Sequence, residues 1–405
     1  AANAQEGAWN GELNIMGTKL PLVFNFSGDG CTMDSPSQGA KGIPAEKTIK
    51  DDGTIKVSVA MIGATFEGKM ENGEIKGTYT QNGFPIPLTL KPGKLVVKRP
   101  QTPVAPFPYK EENISFTNAG YTFNGTLTLP QNYSKQTPVV LMVTGSGQQN
   151  RDEELFGHRP FAVIADALAR NGIASLRYDK RGIGASRFTE PEKMADAVLG
   201  DFIGDAAAWA DYLAGEGFRR VVLIGHSEGA LIAFCAAQQT PKVAAVVSLA
   251  GAGYPLDEIL QLQLASQLLP DNMDLLLQAN AITAALKRGE RVESCPPQLE
   301  ALFHPSVQTF WISSLRYDPR EEIRKVRVPI LVVGGDNDLQ VPPDNAEALA
   351  KAQPRARKAI IAGMTHPLKK CTGRMRIDQT GAYGDSTLPI DPDLVAVVTQ
   401  FIRGL

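Results

Sequence analysis

The sequence predicts a two-domain protein of the α/β class, in which a small antiparallel β domain precedes a mostly parallel, doubly wound sheet. Three observations lead to this prediction. The chain has 405 residues, which is more than one hydrophobic core usually holds. Its first part, residues 1–98, consists of short runs in which apolar and polar residues alternate. Its remainder, residues 113–405, alternates continuous apolar runs with stretches of helical pattern.

Residues 1–98 show the pattern of a small antiparallel sheet. Turn dipeptides such as Asn72-Gly73 and Asn82-Gly83 separate the alternating runs. Asn-Gly favours two-residue hairpins because type I′ turns require positive φ. We therefore expect an antiparallel sheet or a partial barrel. The predicted strands are Trp9–Ile15, Leu20–Phe26, Thr54–Ala60, Thr65–Met70, Glu74–Thr80 and Pro87–Leu90.

A proline-rich segment marks the boundary between the two domains. Residues 99–112 contain Pro100, Pro103, Pro106 and Pro108. Proline has no backbone N–H to donate, so it continues neither a helix nor a central strand. We expect a stiff linker here.

The second domain begins with a hairpin, predicted over Ile114–Phe116 and Tyr121–Leu129, and then alternates strands with helices. Its first continuous apolar run, Val139–Val143, is typical of a parallel strand that is covered on both faces. Regular alternation of such strands with helices predicts a parallel, doubly wound sheet. The further strands are Ile173–Tyr178, Val221–Gly225, Val243–Leu249, Ile330–Val333 and Lys358–Ile361, and the helices are Phe161–Arg170, Ala195–Ala214, Ala230–Gln239, Ala346–Ala352 and Leu394–Ile402.

Residues 253–327 interrupt this alternation. They contain two helical stretches, Leu256–Leu269 and Met273–Lys287, between two predicted strands. We expect a helical cap over the carboxyl edge of the sheet. The alternative is a helical excursion without a role in function.

Composition excludes several classes of function. The 41 basic and 43 acidic side chains nearly cancel, so neither nucleic acid nor an anionic membrane is an expected partner. The longest apolar runs are too short to span a bilayer. The four cysteines form no CxxC or Cys/His metal pattern, and we predict neither a metal nor a cofactor. Cys235 is expected to be a buried thiol, and a Cys295–Cys371 disulfide is possible. The small, polar residues 1–5 resemble the start of a mature chain, which suggests export to the periplasm or secretion.

Residues 225–229, Gly-His-Ser-Glu-Gly, fit the G-x-S-x-G pattern of a nucleophile elbow. They follow a predicted apolar strand and precede a helix of small residues. In such a tight turn a Cβ at Gly225 or Gly229 would collide with neighbouring backbone. The context therefore predicts Ser227 as a nucleophile, whereas the pattern alone is common by chance.

A serine nucleophile needs a base, and the base needs an orienting acid. Of the four histidines, His366 follows the last predicted strand, in the position where a doubly wound hydrolase places its base. Asp336 and Asp338 both follow the preceding strand. The spacing of the surrounding Gly, Val and Pro residues selects Asp338, and Asp336 is then expected to form a turn or cap a helix.

The oxyanion of an acyl-transfer intermediate requires two backbone N–H donors. We expect one from Glu228, immediately after the nucleophile, and the other from Ser146 in the glycine-rich loop after Val139–Val143. Charged residues in the segments 151–152 and 179–186 are expected to be ion pairs that brace these loops. The alternative is that they bind substrate.

These motifs resemble those of bacterial α/β-hydrolase carboxylesterases with an N-terminal β domain, relatives of the dienelactone hydrolases and the serine aminopeptidases. The resemblance covers residues 114–405 and extends to the first domain through Trp9 and the motifs at residues 34–39 and 81–83. It implies an α/β-hydrolase fold and the cleavage of short-chain acyl esters. The chain departs from the group in having Thr144-Gly145 where a His-Gly pair usually precedes the oxyanion donor.

The expected function is hydrolysis of a small-molecule ester through an acyl-enzyme. A serine aminopeptidase or thioesterase would use the same machinery, and Asp257 or Glu258 would then bind a substrate ammonium group. From another class, the protein could be an inactive binding or scaffold protein, although the complete triad argues against this. The aromatic residues of the first domain could bind glycans, but most are expected in its core.

Overall fold

The structure, a computed structural model, describes residues 6–15, 18–28, 30–36, 40–81, 83–95, 98–155, 157–186 and 196–405. Several sequence predictions fall outside these residues. They are the polar start at residues 1–5, residues 37–39 of one motif, Asn82 of one hairpin turn, and Ala195 at the predicted start of a helix.

The chain divides into two compact units. The first comprises the described residues within 1–100, 155–158 and 375–388, and the second comprises the described residues within 101–154, 159–374 and 389–405. The division at residue 100 lies inside the range 99–112 that the sequence assigns to a linker. Two short segments of the range 113–405 belong to the first unit, because packing joins segments that are distant along the chain.

The first unit contains a closed barrel in which each of eight strands pairs antiparallel with the next, and β1 pairs with β8. The strands are β1 (Gly7–Ile15), β2 (Thr18–Ser27), β3 (Gly30–Ser35), β4 (Ala40–Ile49), β5 (Ile55–Val59), β6 (Ala64–Glu71), β7 (Glu74–Gln81) and β8 (Phe84–Pro92). An eight-stranded barrel is just narrow enough for side chains to fill it. Phe24 and Phe66 lie fully buried in this core, with ring centroids 5.8 Å apart. Trp9 and Tyr79 are buried as well, whereas Phe84 is exposed.

Two of these strands, β3 and β4, were not predicted from the sequence. β4 contains Gly42 and Pro44, which are unfavourable in strands, and its side chains are half-buried or exposed. Its alternation of hydrophobicity is therefore weak, and pairing with β3 and β5 gives it its extended form. The expected antiparallel sheet is present, and with these two strands in place it forms a closed barrel rather than a partial one.

The second unit contains an eight-stranded sheet with the strand order β16-β15-β14-β13-β11-β12-β10-β9. Its strands are β9 (Tyr109–Asn118), β10 (Tyr121–Pro130), β11 (Val139–Val143), β12 (Ala174–Tyr178), β13 (Val221–His226), β14 (Val243–Leu249), β15 (Ile330–Gly335) and β16 (Arg357–Ile361). The pairs from β12 to β16 are parallel, and β9 and β10 form an antiparallel edge. β9 begins at Tyr109, inside the range expected to be linker.

Helices cover both faces of this sheet, as the continuous apolar strands predict. Along β11, Val139, Leu141 and Val143 join one core and Val140 and Met142 join the other. The first core is completed by α2 (Leu199–Gly215), α3 (Glu228–Gln239) and α9 (Asp344–Ala352), and the second by α1 (Pro160–Arg170) and α11 (Pro392–Arg403).

A helical insertion lies between β14 and β15. It consists of α4 (Leu256–Leu268), α5 (Met273–Lys287), α6 (Glu300–Phe303), α7 (Gln308–Ser314) and α8 (Pro319–Lys325). α4 to α7 surround a hydrophobic core of their own. α8 joins the core of the sheet through Ile323. A further helix, α10 (Arg376–Gly384), belongs to the first unit. Within the described part of the chain, each helix is too short or too polar to cross a membrane.

Candidate active site

Ser227 lies in a strained turn between β13 and α3. Its φ of 54° is in the region that residues with a side chain seldom adopt. The Ser227 N–H donates to the Leu249 carbonyl at 2.9 Å, which ties the turn to the neighbouring strand. A Cβ at Gly225 would collide with the backbone of Gly229, and a Cβ at Gly229 would collide with the Val143 carbonyl. The two glycines of the motif are therefore required by close backbone approach.

The structure brings the three residues of the predicted triad together. His366 Nε2 lies 3.1 Å from Ser227 Oγ, and His366 Nδ1 lies 2.8 Å from Asp338 Oδ2. Asp338 and His366 are both buried. Ser227, Asp338 and His366 follow the carboxyl ends of β13, β15 and β16, which meet at one edge of a parallel sheet.

The Asp338 carboxylate uses both oxygens. Oδ1 accepts the backbone N–H groups of Gln340 at 2.9 Å and Val341 at 2.8 Å, which leaves Oδ2 for His366. Asp336 lies elsewhere: it accepts the Gly363 N–H at 2.6 Å and pairs with Arg374 at 3.0 Å. The hydrogen bond from the Gly363 N–H, together with Arg374, holds the pKa of Asp336 below its usual range. Asp336 thus joins two loops and caps no helix.

The other three histidines have different surroundings. His158 contacts the Tyr383 carbonyl at 2.9 Å within the first unit. His304 contacts Ser306 Oγ at 2.7 Å in the insertion. His226, inside the elbow, is buried between Glu153 and the backbone of His366, at 2.9 Å from Glu153 Oε2 and 2.9 Å from the His366 carbonyl.

The Glu153–His226 pair was not predicted from the sequence, which indicated only packing support from His226. Burial opposes the charge of His226, but the nearby carboxylate of Glu153 outweighs burial and raises the pKa of His226. Glu153 is buried and has a φ of 51°, a strained backbone conformation for a residue with a side chain. The residues next to Glu153 in sequence do not indicate that its carboxylate faces His226, because the two residues come together only in the folded chain.

The loop after β11 carries the predicted oxyanion donor Ser146, which is exposed. The backbone N–H and the carbonyl of the preceding residue, Gly145, both form hydrogen bonds with side chains. Its N–H donates to Glu153 Oε1 at 2.6 Å, and its carbonyl accepts from Lys180 Nζ. Glu228 begins α3, so its N–H is one of the helix N–H groups without an intrahelical partner. Free N–H groups at a helix N-terminus favour a nearby negative charge.

The charged segments around this loop are paired. Arg151 binds both oxygens of Asp179, with its Nη2 at 2.7 Å from Oδ2. Arg177 pairs with Asp152 and Glu111, and Arg181 binds both oxygens of Asp205. A bidentate arginine–carboxylate pair fixes the relative position of the two segments of the chain that carry its partners. These pairs agree with the expectation that the segments brace the loops.

All four cysteines are free thiols, so the possible Cys295–Cys371 disulfide is not formed. Burial raises the pKa of Cys235, with a further contribution from Glu322. Among the residues that the structure describes, we find no cluster of three or more His, Cys, Asp or Glu side chains arranged to hold a metal ion.

The hydroxyl, imidazole and carboxylate together form a route for moving a proton from Ser227 toward His366. The strand order, the elbow after a central parallel strand and the chain order Ser–Asp–His define the α/β-hydrolase fold. The predicted fold class is therefore confirmed.

The comparison with protein families agrees with this assignment. The family model described as serine aminopeptidase, S33, matches residues 158–369, which is more than half of the chain. The chain belongs to this family. The matched range contains Ser227, Asp338 and His366, whereas Ser146 and Glu153 precede it.

The chain is also similar to individual proteins, with sequence identities of 30% or less. Esterase EstD of Thermotoga maritima is 30% identical over 247 residues, which are 58% of this chain and 56% of EstD. The chain thus matches little more than half the length of that curated relative. The solved structure of Est1E from Butyrivibrio proteoclasticus is 18% identical, with a TM-score of 0.44 over 72% of this chain and 96% of Est1E. A proline iminopeptidase of Mycobacterium smegmatis is 17% identical, with a TM-score of 0.48 over 72% of this chain and 98% of its own.

Proposed function

We propose that this protein is a serine hydrolase that cleaves carboxylic esters of small molecules. The observation that carries the proposal is the hydrogen-bonded row of Ser227, His366 and Asp338. A serine hydroxyl is a weak nucleophile at neutral pH, and an adjacent base that is itself oriented by a carboxylate makes it reactive. The similarity to EstD, which is named an esterase, supports an ester as the substrate.

In the acylation step, Ser227 Oγ attacks the acyl carbon of the ester while His366 Nε2 takes the hydroxyl proton. The tetrahedral intermediate collapses when its bond to the alcohol oxygen breaks, and His366 returns the proton to that oxygen. Asp338 holds the tautomer in which Nε2 is free to accept, and it stabilises the imidazolium that forms. The alcohol leaves, and the acyl group remains on Ser227.

In the deacylation step, His366 takes a proton from water, and the resulting hydroxide adds to the acyl carbon. The second intermediate releases Ser227 Oγ, which regains its proton from His366, and the carboxylic acid departs. In both steps we assign the oxyanion hole to the backbone N–H groups of Ser146 and Glu228. Removal of one such donor typically costs about 10²–10³-fold in kcat.

We propose that the insertion at residues 253–327 caps the site and selects the acyl group. Gln263 of α4 donates to the Gln340 carbonyl at 3.0 Å, in the same loop as Asp338. This contact supports a position of α4 beside the carboxyl edge of the sheet. α4 and α5 also carry exposed apolar side chains, among them Leu262, Met273 and Leu277.

The test is hydrolysis of p-nitrophenyl acetate by the wild type and by Ser227→Ala. We expect the substitution to lower kcat by more than about 10⁴-fold, because the group that forms the acyl-enzyme is lost. Ser306, one of the exposed serines of the insertion, supplies the matched control, and Ser306→Ala should retain wild-type kcat. Equal activity of Ser227→Ala and wild type would refute the assignment. An inactive scaffold protein would show no turnover and no labelling of Ser227 by a fluorophosphonate.

The family description makes an aminopeptidase the second candidate. Such an enzyme requires an unpaired acid to bind the substrate ammonium group, and Asp257 is already paired with Lys287 at 2.5 Å. Glu258 is exposed on α4 and lies near Arg320. Aminoacyl p-nitroanilides tested beside acyl esters distinguish the two. A higher kcat/KM for the anilides would favour the aminopeptidase.

A further inference from the structure

Lys180 is a buried cation that the proposed mechanism does not use. It follows β12 and lies in the charged segment 179–186, with only 4% of the residue exposed. Its Nζ donates to the Gly145 carbonyl, lies 3.4 Å from the Gly147 carbonyl, and lies 3.8 Å from Glu228 Oε1. A buried lysine is uncommon because desolvation of its charge is costly, so its partners indicate what it does there.

The partners of Lys180 belong to the loop after β11 and to the first residue of α3, to which we assign the oxyanion hole. Gly145 and Gly147 flank Ser146, and Glu228 carries the other donor. A trans peptide group is planar, with its C=O and N–H pointing in opposite directions. The carbonyl of Gly145 and the N–H of Ser146 belong to one peptide group. A hydrogen bond from Lys180 to that carbonyl therefore fixes the direction of the Ser146 N–H.

Glu153 holds the same loop from its other side. Its Oε1 accepts the Gly145 N–H at 2.6 Å, so the peptide groups before and after Gly145 are both anchored by buried side chains. Gly145 is also closely surrounded: a Cβ there would lie 3.2–3.3 Å from Glu153 Oε1, the His226 carbonyl and Ser227 Cβ, and these neighbours would have to move by a few tenths of an ångström. The loop thus has little freedom to turn its amides away.

We propose that Lys180 is a positioning residue of the oxyanion hole, which orients the peptide group between Gly145 and Ser146 and links it to Glu228. This inference rests on the proposed function. Lys180 touches neither substrate nor reacting atoms, and it acts through the Ser146 N–H. Burial lowers the pKa of Lys180 despite the nearby carboxylates, but a lysine amine donates hydrogen bonds in either protonation state.

The experiment compares wild type with Lys180→Met, which keeps an unbranched chain of similar length and removes the donors. We expect kcat for p-nitrophenyl acetate, per active site titrated with a fluorophosphonate, to fall about 10–100-fold with KM changed less than about threefold. The Ki of a trifluoromethyl ketone, which forms an oxyanion on Ser227, should rise by the same factor as kcat falls. A general loss of structure would not produce this proportionality.

Two further variants keep the test decisive. Lys180→Gln retains an N–H donor and should recover part of both losses. If Lys180→Met does not fold, Lys180→Met with Glu228→Gln replaces it, because the carboxylate closest to Lys180 is then neutral as well. The matched control is Arg181→Met, which removes the adjacent buried cation, whose partner is Asp205 of α2. We expect it to lower stability and leave the trifluoromethyl ketone Ki unchanged.

A folded Lys180→Met protein with wild-type kcat overturns the inference, as does a fall in kcat without a matching rise in Ki. Failure of the proposed function would look different. In that case the wild type itself would neither hydrolyse esters nor react with the fluorophosphonate.

Discussion

Single residues determine which groups at the site face one another. Ser227 is held at a φ of 54°, a conformation that costs on the order of 1–3 kcal/mol and persists because the surrounding backbone enforces it. The same site contains Glu153 in a comparable conformation, with its carboxylate shared between the Gly145 N–H and His226. The strained backbone thus occurs at the proposed nucleophile and at the residue that binds the neighbouring loop.

The two aspartates after β15 allow a matched prediction. In Asp338→Asn, the side-chain oxygen would stay with the Gln340 and Val341 N–H groups, and the NH2 group would face His366 Nδ1. Nδ1 would then have to accept a hydrogen bond, which places the ring proton on Nε2, where it cannot take the Ser227 proton. We expect kcat for p-nitrophenyl acetate to fall about 10⁴-fold.

Asp336→Asn is the control for this change, because Asp336 binds Gly363 and Arg374 rather than His366. Its kcat should stay within about threefold of wild type, although some stability is lost with the ion pair. If kcat fell strongly in Asp336→Asn and stayed near wild type in Asp338→Asn, the acid of the triad would be Asp336.

At the scale of elements, the junction of β13, α3 and β11 positions Ser227, the proposed nucleophile. The backbone of α3 approaches both strands so closely that residues 225 and 229 have no space for a side chain. The insertion between β14 and β15, by contrast, has a core of its own and adjoins the Asp338 loop through Gln263. The elbow is therefore expected to tolerate change poorly, and the insertion to vary more freely in sequence.

Gly225→Ala tests the packing of the elbow. Its Cβ would overlap the Gly229 backbone, which cannot move without displacing α3, so we expect a loss of about 2–3 kcal/mol in the free energy of unfolding. Gly204→Ala in α2 is the matched change, since the added Cβ meets no atom within 4 Å. It should raise stability by about 0.5–1 kcal/mol, because alanine favours a helix over glycine. Urea unfolding measures both, and equal effects of the two would contradict the packing argument.

At the scale of the whole molecule, the chain has two units with separate hydrophobic cores. The barrel is filled by its own side chains, and the residues proposed to act in catalysis all belong to the second unit. Unfolding of such a chain is not expected to follow a two-state transition, so each unit must be followed by its own signal.

Phe66→Ala should affect the barrel and spare the chemistry. Phe66 is fully buried, and its truncation is expected to cost about 3–5 kcal/mol in barrel stability. Phe84→Ala removes a side chain that is 74% exposed and should change stability by less than about 0.5 kcal/mol. Scanning calorimetry measures the transitions, and kcat per titrated active site at 20–25 °C should match wild type in both variants. A large loss of kcat in Phe66→Ala would show that the reaction depends on the barrel core.

Much of the fold and the triad could be predicted from local patterns. The elbow at Ser227 is visible because strand, turn and helix are contiguous, and Asp338 and His366 follow from the chain order that a parallel sheet imposes. The hairpin turns and the continuous apolar strands likewise depend on neighbours within a few residues. The strand β4 was not predicted because Gly42 and Pro44 obscure its alternation of apolar and polar residues.

Periodicity and order along the chain were enough to predict the class of fold, the proposed nucleophile and the two residues proposed to assist it. Three features became apparent in the folded chain alone: the barrel closes, Glu153 faces His226, and Lys180 donates to Gly145. Each of these joins residues that are separated in sequence and brought together by packing. A buried ionisable side chain is stabilised by partners whose identity depends on the folded chain, and no local pattern of residues records it.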